Sequence, residues 1–365
     1  MNLIDQLKRL PVPVYLTGVS AMGHYLSLPP NRIATIRIAG DLVDIAKIFD
    51  SPEQIGFEGI DAVVPYEEYL LLVQCSETPP AAAAHSDNDL DLWHYDLSTE
   101  RFIDQGGVYQ RLRKGVFSAA VKHSTDMVYT AIALSQLPLE PETGLIPGAV
   151  SQTVPADIPA EAQRILLEGI LAGENADRGL DILQQAGWIT RLWPIIDAMR
   201  HTEQGKSEHP EGDVWQHSLQ ALTHRKSLDP RVGLAVLLHD AGKPHAEQTA
   251  EHRFHLHADI GAKLAYRFLS DLGFPHSTVQ DVVWLIRYHS FPGALSRLPG
   301  HRAAPLMRNP LFPLLLELYR CDLSATYRGP ENYYRACAVY RRFLKNHHNP
   351  FRDQDGKKLV NLLVE

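Results

Sequence analysis

The stretch Val232 to Pro244, VGLAVLLHDAGKP, constrains this chain more than any other. An apolar run fit only for burial stops abruptly at His239 and Asp240, followed by Gly242, Lys243 and Pro244. Val232, Ala235, Val236 and Leu238 fit a buried helix, which puts the histidine and the aspartate near its inner end. A buried imidazole or carboxylate is costly unless it finds a partner, and a divalent cation serves both at once. A helix C-terminus with a hydrogen-bonded histidine and an exposed aspartate is the plainer alternative at this point.

Two further positions raise the same question. His217 lies three residues after Val214 in DVWQHSLQALTH, on or beside its apolar face, and Asp322 closes the apolar helix LFPLLLELYRCD. Together His217, His239, Asp240 and Asp322 offer two imidazoles and two carboxylates, a mixed set suited to Mn, Ni, Co, Fe, Zn or Mg. Of the 18 histidines, 12 fall between His201 and His301, so the second half is where chemistry is expected.

With 365 residues, 45% hydrophobic and 21% charged, the chain can bury two or three cores. A formal net charge of -8 excludes a surface that attracts nucleic acid as a whole and leaves room for a local basic patch. Cys75, Cys321 and Cys337 have no CxxC spacing, which argues against a disulfide framework and a thiolate zinc site. No apolar run approaches the roughly 18 residues of a membrane span, and MNLIDQLKRLPVPVYL lacks an export signal, so a cytoplasmic protein with no membrane partner is expected.

The pattern predicts an α+β N-terminal domain with a mixed sheet, then helices to the end. VPVYLTG, ATIRIAG and EEYLLLVQ read as strands, LVDIAKIF as a helix, residues 76–89 as a loop, and LDLWHYDLSTERFIDQGG as a hairpin. Four regions are expected: a head over 1–115, a helical connection over 116–205, an all-helical domain over 206–330 built from about five amphipathic segments, and a C-terminal helix and tail over 331–365. Arg341, Arg342 and Lys345, with tyrosines nearby, suit either a solvated face or an RNA contact.

His217, then His239 and Asp240 within LLHDAGK, then Asp322 resemble the H…HD…D signature of the HD-domain metal-dependent phosphohydrolases. The flanking words HPEGDVWQHSL, LLHDAGKP, FHLHADIGAKLA and IRYH, in that order, resemble the HD domain of bacterial tRNA nucleotidyltransferases, the CCA-adding and poly(A)-polymerase-like enzymes. The resemblance implies that His217, His239, Asp240 and Asp322 ligate a divalent ion. His257 and His289 then ligate a second ion, contact phosphate or water, or are structural. Lys243 is placed to neutralise a phosphate oxygen or is merely solvated, and His209, His224, His245, His252 and His255 are bystanders. Catalysis would rest on Asp240 orienting a water, with a protonated His257 or His289 assisting the leaving group.

The likeness to the nucleotidyltransferases extends into VYLTGVSAMGHYLSLPPNRIATIRIAG, the counterpart of a segment with a GG-x-V-R-D turn and a D-x-D pair that holds catalytic magnesium. Gly18 persists, but Val19, Met22 and Gly23 replace Gly, Arg and Asp, and Arg32 and Ala34 stand where the two aspartates belong. A later Arg-Arg-Asp segment falls on His85, Ser86 and Asp87, while Tyr95, Asp96, Ile103, Asp104 and Gly107 still match. The expectation is a degenerate nucleotidyltransferase-like head joined to an HD phosphohydrolase using one ion or two. Its substrates would be nucleotides, other phosphoesters or RNA 2',3'-cyclic phosphate ends, with RNA or tRNA a further candidate partner. Two rivals remain: an RNA- or nucleotide-binding protein with a structural metal, and a divergent tRNA nucleotidyltransferase drawing carboxylates from Asp41 and Asp44. Oligomeric state is left open.

Overall fold

The computed structural model describes residues 3–55, 59–67, 69–76, 78–80, 86–142, 158–203, 212–248 and 254–346. The chain divides into two compact units, Met1–Leu192 and Trp193–Glu365, so the expected head and most of the expected connection share one unit. His85, His209, His252 and the tail after residue 346 lie outside the described residues.

The first unit is built on a six-stranded sheet: β1 (Val14–Thr17), β2 (Ile33–Ala39), β3 (Ala62–Tyr66), β4 (Tyr69–Ser76), β5 (Trp93–Asp96) and β6 (Arg101–Asp104), in the order β3-β4-β2-β1-β5-β6. β2 and β4 run parallel and the other pairs antiparallel, the mixed sheet expected. Branched residues at Ile33, Ile36 and Ile38 favour the extended chain, and Ile36 and Ile38 are wholly buried. Register places Leu16 beside both Ile36 and Tyr95.

Helix α1 (Leu3–Leu7) precedes β1, and α2 (Gly18–Tyr25) leaves it at Gly18, whose positive φ of 45° and close approach to the Leu90 carbonyl exclude a side chain. Helix α3 (Leu42–Ile48) starts in a capping box: Asp41 accepts from the Asp44 N–H at 2.9 Å, and Asp44 accepts from the Asp41 N–H at 3.3 Å. The expected 76–89 loop ends in the short helix α4 (Asp89–Leu92), where a buried Asp89 accepts from Arg111 Nε at 2.7 Å and the Ser118 N–H at 2.8 Å. That anchor draws on partners 22 and 29 residues downstream, which local polarity could not reveal. Helices α5 (Val108–Leu112) and α6 (Ser124–Gln136), a short parallel pair of Val116–Phe117 with Glu140–Pro141, and helices Ala160–Leu171, Ala176–Gln185 and Trp188–Leu192 also belong to this unit.

The second unit is helical, with Val214–Thr223, Pro230–Leu238, His257–Asp271, His276–Tyr288, Gly300–Met307, Phe312–Ser324 and Glu331–Asn346 as its longer helices. Gly300–Met307 was not expected, because it opens on glycine and carries Pro305 inside. Every residue from Val232 to Leu238 is buried, so the run that drew attention in the sequence is the centre of this core. Among the described residues, no helix is long and apolar enough to cross a membrane.

Candidate metal centre

Five helices bring the candidate residues together, each through an ordinary local device. Asp213 caps Val214–Thr223 by accepting from the Gln216 N–H at 2.7 Å, and the turns that follow place His217 fully buried. Asp229 caps the next helix, Pro230 supplies its first turn, and the helix ends at Leu238 with His239 and Asp240 just beyond. His257 opens one helix, His289 closes another, and Asp322 sits in the last turn of Phe312–Ser324.

Asp240 is the hub. Its Oδ2 lies 3.2 Å from His239 Nε2 and 3.8 Å from His217 Nε2, while its Oδ1 lies 3.6 Å from His257 Nε2 and 3.9 Å from His289 Nε2. Asp322 Oδ1 adds 3.1 Å to His217 Nε2 and 3.8 Å to His239 Nε2. The ligand atoms fall into two groups that share Asp240: His217 with His239, and His257 with His289.

Three of the imidazoles are held in one orientation. His239 Nδ1 donates to the Val236 carbonyl at 2.8 Å, His257 Nδ1 to Phe254 at 2.9 Å, and His289 Nδ1 to Ile286 at 2.8 Å. A carbonyl only accepts, so each Nδ1 carries a hydrogen and each Nε2 is the ring nitrogen turned toward the cluster. His239 Nε2 and Asp240 Oδ1 are buried and make no hydrogen bond of their own, an arrangement a cation would satisfy. The donor set and these orphaned atoms fit a divalent ion.

The electrostatics agree. Burial alone would raise the Asp240 carboxyl, but His239 and Lys243 outweigh it and hold the group well below the usual carboxylate range. Burial likewise opposes ionisation of Asp322, and the His217 hydrogen bond overrides it to leave that carboxyl low. His289 is pushed down to about 4, first by burial and then by His239, so its imidazole is neutral at neutral pH, against the expectation of a protonated His289.

Lys243 is buried against the hub: its Nζ lies 2.6 Å from Asp240 Oδ2 and 5.6 Å from the Phe254 ring centre. Its ammonium is therefore engaged by the Asp240 carboxylate. His224, His245 and His255 stand outside both ligand groups. Sequence reasoning missed Gly242. A Cβ there would lie 2.0 Å from the His257 carbonyl oxygen and 2.5 Å from the Gly261 nitrogen, so only glycine lets the Asp240 turn touch the helix that carries His257. The signal was present, since Gly242 follows Asp240 by two residues and Gly261 follows His257 by four.

Residues 214–322, the span that holds all of these groups, match the family model described as the HD domain. The chain carries an HD domain, and it is homologous to the CCA-adding tRNA nucleotidyltransferases. It is 33% identical over 193 residues to a CC-adding tRNA nucleotidyltransferase of Thermus thermophilus, an alignment covering 49% of this chain and 43% of the relative. It is 32% identical over 177 residues to a multifunctional CCA protein of Halorhodospira halophila, covering 47% and 40%, and 32% identical over 214 residues to an A-adding tRNA nucleotidyltransferase of Deinococcus radiodurans, covering 53% and 46%. The chain thus spans less than half the length of these curated relatives. In fold it is similar to the Bacillus stearothermophilus CCA-adding enzyme solved with CTP, with a TM-score of 0.50 and 18% identity over 94% of this chain and 80% of that one.

Proposed function

We propose that this chain is a metal-dependent phosphohydrolase working at the HD centre on phosphomonoesters or phosphodiesters, with nucleotides and RNA 2',3'-cyclic phosphate ends as the substrate class. The observation that carries the reading is the disposition of Asp240, one oxygen toward His217 and His239 and the other toward His257 and His289, with three imidazoles turning Nε2 inward. His217, His239, Asp240 and Asp322 would hold one ion, and Asp240, His257 and His289 a second. Such ions supply Lewis acidity and a nucleophilic water at neutral pH. Asp240 orients that water. Lys243 compensates the charge of Asp240. Where only the first ion is held, His257, whose side chain is 23% exposed against 5% for His289, is the imidazole whose Nε2 is placed to exchange a proton with the leaving oxygen.

In the first unit, Arg32 is exposed, and Ala34 lies in a cavity lined also by Leu16, Val19, Leu28 and Leu137, a setting without the carboxylates that nucleotidyl transfer needs. Asp41 and Asp44 are engaged in capping α3. A second reading, a divergent tRNA nucleotidyltransferase, is favoured by the 32–33% identity to CC-adding and A-adding relatives and requires carboxylates from elsewhere in that unit. The third, an RNA- or nucleotide-binding protein with a structural metal, gains support if the folded, metal-loaded chain binds RNA without turnover. Metal-loaded protein assayed on a panel of phosphomonoesters, diesters and 2',3'-cyclic nucleotides tests the first reading. Turnover abolished by Asp240→Asn supports it, and no turnover with any divalent ion sinks it.

A further inference from the structure

Tyr319 stands one turn before Asp322 on the helix Phe312–Ser324, so the two side chains leave the same side of that helix. Tyr319 is only 7% exposed, and its hydroxyl packs on Gly293, where a Cβ would lie 2.9 Å from the oxygen. Gly293 follows His289 by four residues and belongs to the 3-10 helix Phe291–Arg297. The phenol is therefore wedged between the segment that leaves one candidate ligand, His289, and the turn that carries another, Asp322. A buried tyrosine hydroxyl ordinarily finds a partner, yet among the described residues this one makes no hydrogen bond.

Charges of both signs act on that hydroxyl. Burial first, and then the Asp322 carboxylate, raise the phenol and keep it a proton donor at neutral pH, while Arg328 and Arg297 pull the other way. One carboxylate and two guanidiniums thus lie within electrostatic reach of the same oxygen. Arg297 ends the 3-10 helix that carries Gly293, is exposed, and among the described residues has no carboxylate within salt-bridge distance. Arg328 is exposed in the turn after Asp322, which Thr326 ties down: its hydroxyl donates to the Leu323 carbonyl at 2.8 Å and accepts from the Arg328 N–H at 3.2 Å. Asp322 is itself committed to His217 at 3.1 Å, which leaves the phenol and the guanidiniums as the groups that can meet a ligand. A neutral group would gain only the hydroxyl, whereas an oxyanion engages all three donors.

We infer that Tyr319, with Arg297 and Arg328, receives a second anionic group of the substrate, so that the HD centre favours phosphoesters carrying two anionic groups over those carrying one. The inference rests on the hydrolytic reading for the scissile phosphate and adds the residues that select its substrate. Isothermal titration of the manganese-loaded full chain with propane-1,3-bisphosphonate and with propylphosphonate, neither of which hydrolyses, measures it. Both ligands bring one phosphonate to the ions, and only the first offers another to Tyr319. Wild type is expected to bind the bisphosphonate about ten-fold more tightly. Tyr319→Phe, which keeps the ring against Gly293, and Arg297→Gln should each remove most of that advantage. Propylphosphonate affinity, bound manganese and Tm should stay at wild-type values in both variants. Equal affinity for the two ligands in wild type, binding of neither, or an advantage that both variants retain would overturn the inference. The phosphoester panel separates it from the reading beneath it. An advantage without turnover sinks hydrolysis and keeps the anion site, and turnover without an advantage does the reverse.

Discussion

His257 and His289 turn their Nε2 atoms toward each other across 3.3 Å, each with its Nδ1 tied to the carbonyl three residues before it. Two ring nitrogens so placed need a proton or a cation between them, and Asp240 Oδ1 lies within 4 Å of both. Replacing both with glutamine should reduce bound metal from two ions per chain to one, whereas Asp240→Asn, shared by both groups, should remove both. Elemental analysis of loaded, desalted protein reads the difference.

Metal binding should also appear as stability. An ion held at 100 times its Kd adds about 2.7 kcal/mol to the folded state, so chelation should lower Tm, and the shift should be largely absent in His239→Ala. Differential scanning fluorimetry with and without chelator measures it. An equal shift in both proteins would place the ion elsewhere.

Gly242→Ala tests the contact between the Asp240 turn and the His257 helix. The added methyl cannot fit 2.0 Å from a carbonyl oxygen, so the two backbones must separate. The expected cost is about 1–3 kcal/mol in urea unfolding, with loss of the His257 and His289 ion in particular. Unchanged metal content would show that the close approach does not position His257.

His94 sets a pH dependence in the first unit. It is 1% exposed, neither ring nitrogen makes a hydrogen bond, and burial followed by the charge of Arg37 pushes it down to about 4 from an ordinary 6.5. A depressed folded pKa means the unfolded chain binds the proton first, so the contribution is complete above 6.5 and is lost as pH falls toward 4. The loss is on the order of 3 kcal/mol. Urea titrations between pH 7.5 and 4.5 should show a fall that His94→Leu flattens.

Asp41→Ala should cost about 1 kcal/mol through loss of the α3 cap, and Asp41→Ser should restore most of it. If Asp41 instead held a catalytic ion, serine would restore stability without restoring CTP incorporation into tRNA. Comparing melting with incorporation separates the two roles.

The clustering of polar groups in the second unit was largely legible because each candidate ligand falls on or at the end of an apolar helix, where a polar group needs a reason to be buried. His217, His239, Asp240 and Asp322 were found in this way, and the structure brings all four together. The hairpin of β5 and β6 was legible from alternation around a polar turn. The buried Asp89 and its bonds to Arg111 and Ser118 were not, because they join distant segments, and Gly300–Met307 was hidden by its glycine and proline. The ring orientations of His239, His257 and His289 depend on carbonyl directions that only the folded backbone reveals.

Asp240 is shared by both candidate ion groups, and one paired assay tests its role most directly. Wild type and Asp240→Asn, both loaded with manganese, are given 2',3'-cyclic nucleotides and phosphomonoesters in one reaction and labelled CTP with tRNA lacking its 3' end in the other. The expected result is phosphoester hydrolysis by wild type only and no incorporation by either protein. Incorporation by both, without hydrolysis by wild type, would contradict it and return the chemistry to the first unit.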